Sequence, residues 1–345
     1  MLERQPPLLR ERMCSAMAAK STAVATVGTS GFSKKKKTKA PKTKLTWREM
    51  KKQKELIFIT IPFIIYGIIF YYCPLFGWLM AFEKYKPAKG LLGSEWVGLE
   101  HFRKLFKDEV FIQVIRNTLM MGIINLVLSF VFAILFALLL NEVRLKAPKK
   151  FVQTVSYLPH FLSWIIVTGI VRDMLSIDGG TVNDLLVKSG ILSEPVNFFT
   201  HKEYFWWIVG FSNVWKETGW NSIIYLAAIT SINPELYEAA GLDGAGRLRK
   251  MWHITLPGIK STIFVLLLIN IGNVLNAGFE VQYLLGNDLI RSVSETIDIY
   301  VLKWGISQAN FSIGTAAGIF KSVVSVILIF IANSVSKAAG EERLF

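Results

Sequence analysis

Six apolar stretches, each long enough to cross a hydrocarbon core, alternate with polar segments along this chain. A helix needs roughly 20 apolar residues to cross a core about 30 Å thick. The pattern predicts spans at 56–82, 110–140, 151–175, 204–231, 259–285 and 313–335. The ten-residue alternation of a membrane β-barrel is absent from these stretches. The fold class is therefore all-α, a polytopic membrane protein with six transmembrane helices. Pro62, Pro74 and Pro159 fall inside spans, as do Asn117, Thr118 and His160. Each proline removes a backbone hydrogen bond that neighbouring groups must replace.

Composition supports this pattern, with 52% hydrophobic residues and a mean hydropathy of +0.42. The net charge of +14 changes the picture less than its size implies. Residues 1–55 carry 15 Lys/Arg against 4 Asp/Glu, and the other 290 residues carry 24 against 21. Two regions follow: a basic, largely disordered tail over 1–55 and a transmembrane domain over 56–345. Lys34 to Lys37, with Lys39, Lys42 and Lys44, suit attraction to anionic lipid and not a nucleic-acid arm. The basic residues of the short loops, Arg144 to Lys150 and Arg247 to Lys260, lie on the side that holds the tail. By the positive-inside rule both termini are cytoplasmic. Only Cys14 and Cys73 are present, too few for a disulfide framework. The four histidines are scattered, and no nucleophile or metal spacing is found. No catalytic residue, metal or resident cofactor is expected.

One polar segment, 233–258, reads as a helix-turn-helix facing the cytoplasm. Asn233 is a good N-cap and Pro234 suits a first helical turn, so a helix is expected over 234–242. Glu235 and Glu238 sit near its positive end. Ala239 and Ala240 let another protein's surface approach closely. Gly241, Gly244 and Gly246 permit a bend, and Asp243 is available to cap a second helix over 245–255. That helix puts Leu248, Met251, Trp252 and Thr255 on one face, and Pro257 starts the fifth span.

The same segment reads Glu238-Ala239-Ala240-x3-Gly244-x9-Ile254-x-Leu256-Pro257. It resembles the coupling loop of the integral-membrane permeases of bacterial ABC importers, with no departure from the pattern. Val97-Gly98-Leu99-Glu100-His101-Phe102 with Asn117-Thr118 is similar to the opening of carbohydrate permeases, with His101 in place of the usual Asn. Trp215-Lys216-x-x-Gly219-Trp220 and Asn310-Phe311-Ser312 with Gly318 to Ser322 are similar to the branch serving complex oligosaccharides. The resemblance covers most of 56–345. It implies the type I importer permease fold in a bacterial inner membrane. It also implies a second homologous permease, two ATP-binding cassette subunits on the cytoplasmic side and an extracytoplasmic solute-binding protein. Glu238 would meet the ATPase and Gly244 would form the turn. The chain has no G-x-x-x-x-G-K-[ST] phosphate loop, so ATP and Mg belong on the partner.

Polar residues inside the spans are candidates for a carbohydrate path. They are Asn213, Trp215, Lys216, Glu217 and Trp220 in the fourth span, and Asn270, Asn273, Asn276 and Glu280 in the fifth. The three asparagines form a drifting stripe on a continuous helix. Their amides offer both donors and acceptors to hydroxyls. Interhelical bonding explains the same residues. A non-sugar cargo, or an ion-coupled secondary transporter, stays open at this point.

Overall fold

The computed structural model describes residues 54–338. The basic tail predicted over 1–55 lies outside these residues except for Lys54 and Glu55. Chain contacts divide the described residues into two units, with the boundary after Tyr66. In the first, the helix Lys54–Gly67 exposes apolar side chains around its circumference, including Phe58 and Phe63. Helical structure continues along the sequence to Phe82, through a π-helical turn Ile68–Tyr72 and a 3-10 segment Cys73–Phe82. The missing N–H of Pro74 falls where the winding changes.

In the second unit, two continuous helices are long and apolar enough to cross a membrane. Glu109–Glu142 starts at Asp108, whose side chain accepts from the Val110 amide, and its 34 residues exceed what one crossing requires. Phe311–Ala338 is the other. The helix Lys202–Thr230 packs extensively against Glu109–Glu142. It is long enough to cross, but it falls short of the apolarity of the other two because Lys216, Glu217 and several amides interrupt it.

Two expected spans are not straight. The third divides into Lys146–Phe161 and Trp164–Met174, bent by 105°. Pro159 opens the 3-10 turn Leu158–Phe161 there, and Ser163 caps the second limb by accepting from the Ile166 amide. The fifth divides into Arg247–Gly258 and Lys260–Gly272, bent by 61°. The limb after the bend begins at Lys260, beside the expected start at 259 and three residues past Pro257. It also ends early, at Gly272, and a separate short helix Glu280–Leu285 follows. Among the described residues, three helices qualify as spans, or five if each bent pair counts as one.

Helix contacts are close where side chains are small. A Cβ on Gly122 would lie 2.0 Å from the Val274 carbonyl oxygen, and one on Gly219 would lie 2.0 Å from that of Ser156. Buried apolar side chains gather in three clusters. One surrounds Phe111, Ile297 and Tyr300. A second surrounds Met121, Phe205 and Ile290. The third, around Ala137, Tyr225 and Ile259, lies next to segment 233–258.

Candidate functional site

Segment 233–258 folds into an elbow built from local rules. Asn233 Oδ1 accepts from the Glu235 amide at 3.1 Å, and Pro234 occupies the first turn of the helix Pro234–Leu242. At its other end the Ala245 amide donates to the Ala240 carbonyl at 2.8 Å, and Gly244 donates to Gly241 at 3.2 Å. Those two bonds make a Schellman closure, which requires a left-handed residue four positions after Ala240. Gly244 supplies it with φ +75°. The A-x3-G spacing is thus a helix terminus and its glycine.

The second arm differs from expectation in two respects. Its N-cap is Gly246, not Asp243, because Asp243 instead ends the first helix. A π-helical turn at Met251–Thr255 inserts one residue into the winding, so the four apolar-face residues split. Thr255 is buried and Met251 half-buried, while Leu248 and Trp252 are exposed. Tyr237 Oη and Thr255 Oγ1 are 2.9 Å apart, and Lys250 Nζ donates to the Tyr237 carbonyl at 2.8 Å, so the arms are tied together. Leu256 and Ile259 anchor the exit in the adjacent apolar cluster, with Ile254 half-buried and Pro257 exposed beside them. Glu238 and Ala239 are exposed at the bend and Ala240 half-buried; Leu236, Leu242, Leu248 and Trp252 add exposed apolar surface around them.

Further along the same helices lies a polar cavity of about 320 Å³. The expected residues Glu217, Asn270, Asn273 and Asn276 line it. Asn125, Ser129, Asn221 and Tyr225 line it as well and were not anticipated. Asn125 interrupts an apolar run in the sequence, and Asn221 directly follows Trp220, so both left a weak signal. The asparagines do not form a stripe on one helix. Asn270 is helical, Asn273 ends the helix, and Asn276 lies beyond it, where its amide donates to Asn273 Oδ1 at 3.1 Å. The helix ends because the backbone turns tightly, with Asn273, Val274 and Asn276 donating to carbonyls three residues back. Gly122 permits this unwound segment to lie against the second span. Asn270 and Asn273 donate to carbonyls four residues back, at 2.9 and 3.1 Å. Those bonds fix each amide's orientation and leave the Asn270 oxygen free to accept from a hydroxyl.

Asn213 does not line the cavity. It donates to Asn125 Oδ1 at 3.3 Å and so orients a residue that does. Lys216, Glu217 and Glu280 line a second cavity of about 480 Å³ with Ser163, Trp164 and Tyr283. Lys216 is buried, donates to the His160 carbonyl at 2.6 Å and lies 3.4 Å from Glu217 Oε1. Trp220 stacks on His160 with ring centres 4.4 Å apart. Trp215 belongs to neither polar cavity. It faces an apolar groove with Trp207 and Phe211, away from the asparagines, since neighbouring helical positions point about 100° apart.

An elbow at the end of membrane-crossing helices and a hydroxyl-compatible cavity between them belong to a transport subunit. Residues 129–340 match the family described as the binding-protein-dependent transport system inner membrane component. The chain belongs to this family. It is 49% identical over 293 residues to the polygalacturonan/rhamnogalacturonan transport system permease protein YteP of Bacillus subtilis, covering 85% of this chain and 91% of that one. It is 45% identical to protein LplB of the same organism, covering 86% and 92%. Among solved structures it is similar to a bacterial ABC transporter that imports the acidic polysaccharide alginate. The TM-score is 0.77 and the identity 43%, over 85% of this chain and 98% of that one. It is also similar to an alginate ABC transporter in complex with an alginate pentasaccharide-bound periplasmic protein, with a TM-score of 0.78 and 42% identity. The chain is thus an inner-membrane permease subunit of the ABC importer type, and a transport permease is not an enzyme.

Proposed function

We propose that this permease carries an oligosaccharide through its amide-lined cavity, driven by ATP hydrolysed on separate cassette subunits that grip the elbow. A second, homologous permease completes the pathway, and a solute-binding protein delivers the sugar from outside. The six segments cross the membrane with both termini in the cytoplasm, which puts the elbow on the ATPase side.

The observation that carries the cargo assignment is the lining of the cavity. Its five asparagines come from three separate segments, Asn125, Asn221 and the run holding Asn270, Asn273 and Asn276, and Glu217 is the only charge in the lining among the described residues. Amides satisfy hydroxyls in either direction, and no cation of the lining is available to fix a phosphate or phosphonate group. The substrates of the relatives, polygalacturonan or rhamnogalacturonan and alginate, are sugar polymers and support the same class. The apolar side chains around Glu238 and Ala239 support the docking of another protein.

Reconstitution tests this assignment. Proteoliposomes holding both permeases and the cassette subunits, supplied with the solute-binding protein and ATP, are expected to take up labelled oligosaccharide. Uptake of a peptide, polyamine or phosphate compound in its place defeats the cargo assignment. Uptake driven by an ion gradient without ATP defeats the coupling assignment.

A further inference from the structure

Asn117 and Thr118 line neither polar cavity; they hold a turn at the end of the helices opposite the elbow. Asn117 Nδ2 donates to the Ser292 carbonyl at 3.0 Å and to the Glu295 carbonyl at 3.1 Å. Thr118 Oγ1 accepts from the Ile297 amide at 3.0 Å. From the start of the helix Lys202–Thr230, Trp206 Nε1 donates to the Val293 carbonyl at 2.9 Å. Residues 292–297 are therefore fixed by side chains of the second and fourth spans. Further along, the same two spans carry Asn125, Glu217 and Asn221 into the asparagine cavity.

Cations are in excess around this turn. The Glu295 side chain is 5% exposed, and one of its oxygens, Oε1, accepts from Arg291 Nε at 2.8 Å and from Lys303 Nζ at 2.5 Å. Two positive charges on one carboxylate leave one uncompensated. Arg116 adds a second: it donates to Asn117 Oδ1 at 3.3 Å and lies 5.7 Å over the Trp206 ring. Asn117 thus joins Arg116 to the backbone of Glu295. Glu203 and Asp288 are exposed, and neither forms an ion pair with these cations among the described residues. Glu295 is the organiser. It is buried, and it holds Arg291 and Lys303 in place while each keeps a large part of its side chain in reach of solvent.

We propose that Arg116, Arg291 and Lys303 form a carboxylate-binding site for an acidic oligosaccharide, at the end of the second and fourth spans opposite the elbow. A guanidinium takes a carboxylate through two parallel N–H bonds, and Arg291 gives only its Nε to Glu295, so its terminal nitrogens are available. The asparagine cavity offers partners to hydroxyls and no cation to a sugar acid. The pinned turn supplies what that cavity lacks. The site rests on the oligosaccharide reading and narrows it to cargo that carries uronate groups.

The test uses the assembled transporter in nanodiscs, without the solute-binding protein, and two matched probes. One is trigalacturonate; the other is the same trisaccharide with its carboxylates reduced to alcohols. The parent is expected to bind the acid about fivefold more tightly than the neutral sugar, the upper range for partly exposed ion pairs. Arg116→Gln with Arg291→Gln is expected to remove that preference and leave the affinity for the neutral sugar unchanged. The double variant keeps Lys303 on Glu295, so no buried carboxylate is stranded. Arg116→Lys with Arg291→Lys keeps the charges and is expected to retain most of the preference, which a purely structural role of the arginines would not produce. Equal affinity of the parent for the two probes overturns the site, and so does a preference that survives in the glutamine variant. A solute-binding protein that binds the glutamine variant more weakly, with the sugar preference intact, assigns the cations to protein docking and also overturns it. If the parent binds neither probe, the oligosaccharide reading fails and the site fails with it; if it binds both equally, the site alone fails.

Discussion

The elbow and the polar cavity are two parts of one set of helices, yet their residues relate to the sequence in opposite ways. All the elbow's determinants lie within 26 consecutive positions, and its bonds join residues at most 18 apart. The cavity joins Asn125, Asn221 and Asn270 from three helices far apart in the chain. A local device keeps its shape through backbone rules. A cavity assembled from several helices keeps its shape only while those helices stay in register. The elbow suits the transmission of a push, and the cavity suits a change of shape when the push arrives.

The sharpest way to break this comparison is to remove the local rule. Gly244→Val puts a β-branched residue at φ +75°, where a non-glycine residue costs roughly 1–2 kcal/mol, more for a branched one. The Schellman closure opens and the arms separate. The membrane-inserted yield is expected to stay near normal while recovery of cassette subunits with the permease falls about tenfold or more. Normal recovery would show that the elbow's shape is not what the partner reads. A smaller effect, and a separate one, comes from the cavity. Asn273→Leu should leave cassette recovery unchanged and lower uptake by about 10–100-fold, the range for one lost polar contact worth 1–3 kcal/mol. If it also released the cassettes, the two regions would not be separable.

Packing between the regions gives a third comparison. Gly122→Ala places a Cβ 2.0 Å from the Val274 carbonyl oxygen, a position that no side chain can flex to relieve. Overpacking of this kind costs about 1–3 kcal/mol. The melting temperature of the detergent-solubilised complex should fall, with uptake falling alongside it. Gly246→Ala meets open space and is expected to change neither.

The same contrast explains what the sequence disclosed. Asn233, Pro234 and Gly244 act on their own neighbours, so the helix Pro234–Leu242 was readable to the residue. The apolar runs 110–140 and 313–335 were readable because continuous hydrophobicity needs no partner to define it. The breaks were not readable. Pro159 announced a kink, but its 105° size depends on Ser163 capping a new limb and Lys216 reaching the His160 carbonyl from another helix. The end of the fifth helix at Gly272 also escaped notice. Gly272 and Asn273 are residues that commonly end a helix, but the spacing of Asn270, Asn273 and Asn276 read as one helix, and the approach of Gly122 to Val274 has no mark in the sequence. The π-helical turn at Met251–Thr255 likewise split Leu248 and Trp252 from Met251 and Thr255 without any local residue to reveal it.

The smallest expected effect lies far from both regions, at His101, where the family pattern has Asn. His101 is buried, and its Nε2–H donates to the Glu83 carbonyl at 3.1 Å. Burial pushes its pKa below the usual histidine value, with the Glu83 carbonyl opposing that shift. The folded chain therefore resists protonation more than the unfolded chain, so the unfolded state takes up more protons as the pH drops. By linkage, the neutral ring's contribution is fully present above the unfolded value of about 6.5 and is lost as pH falls below it. The melting temperature of the detergent-solubilised complex should decline more between pH 7.5 and 5.5 in the parent than in His101→Asn, because an amide can keep the bond to Glu83 and carries no proton equilibrium. Parallel declines in the two proteins would show that this outer contact is not the acid-sensitive point. The elbow and cavity should respond to neither change, so cassette recovery at pH 7.5 serves as the control.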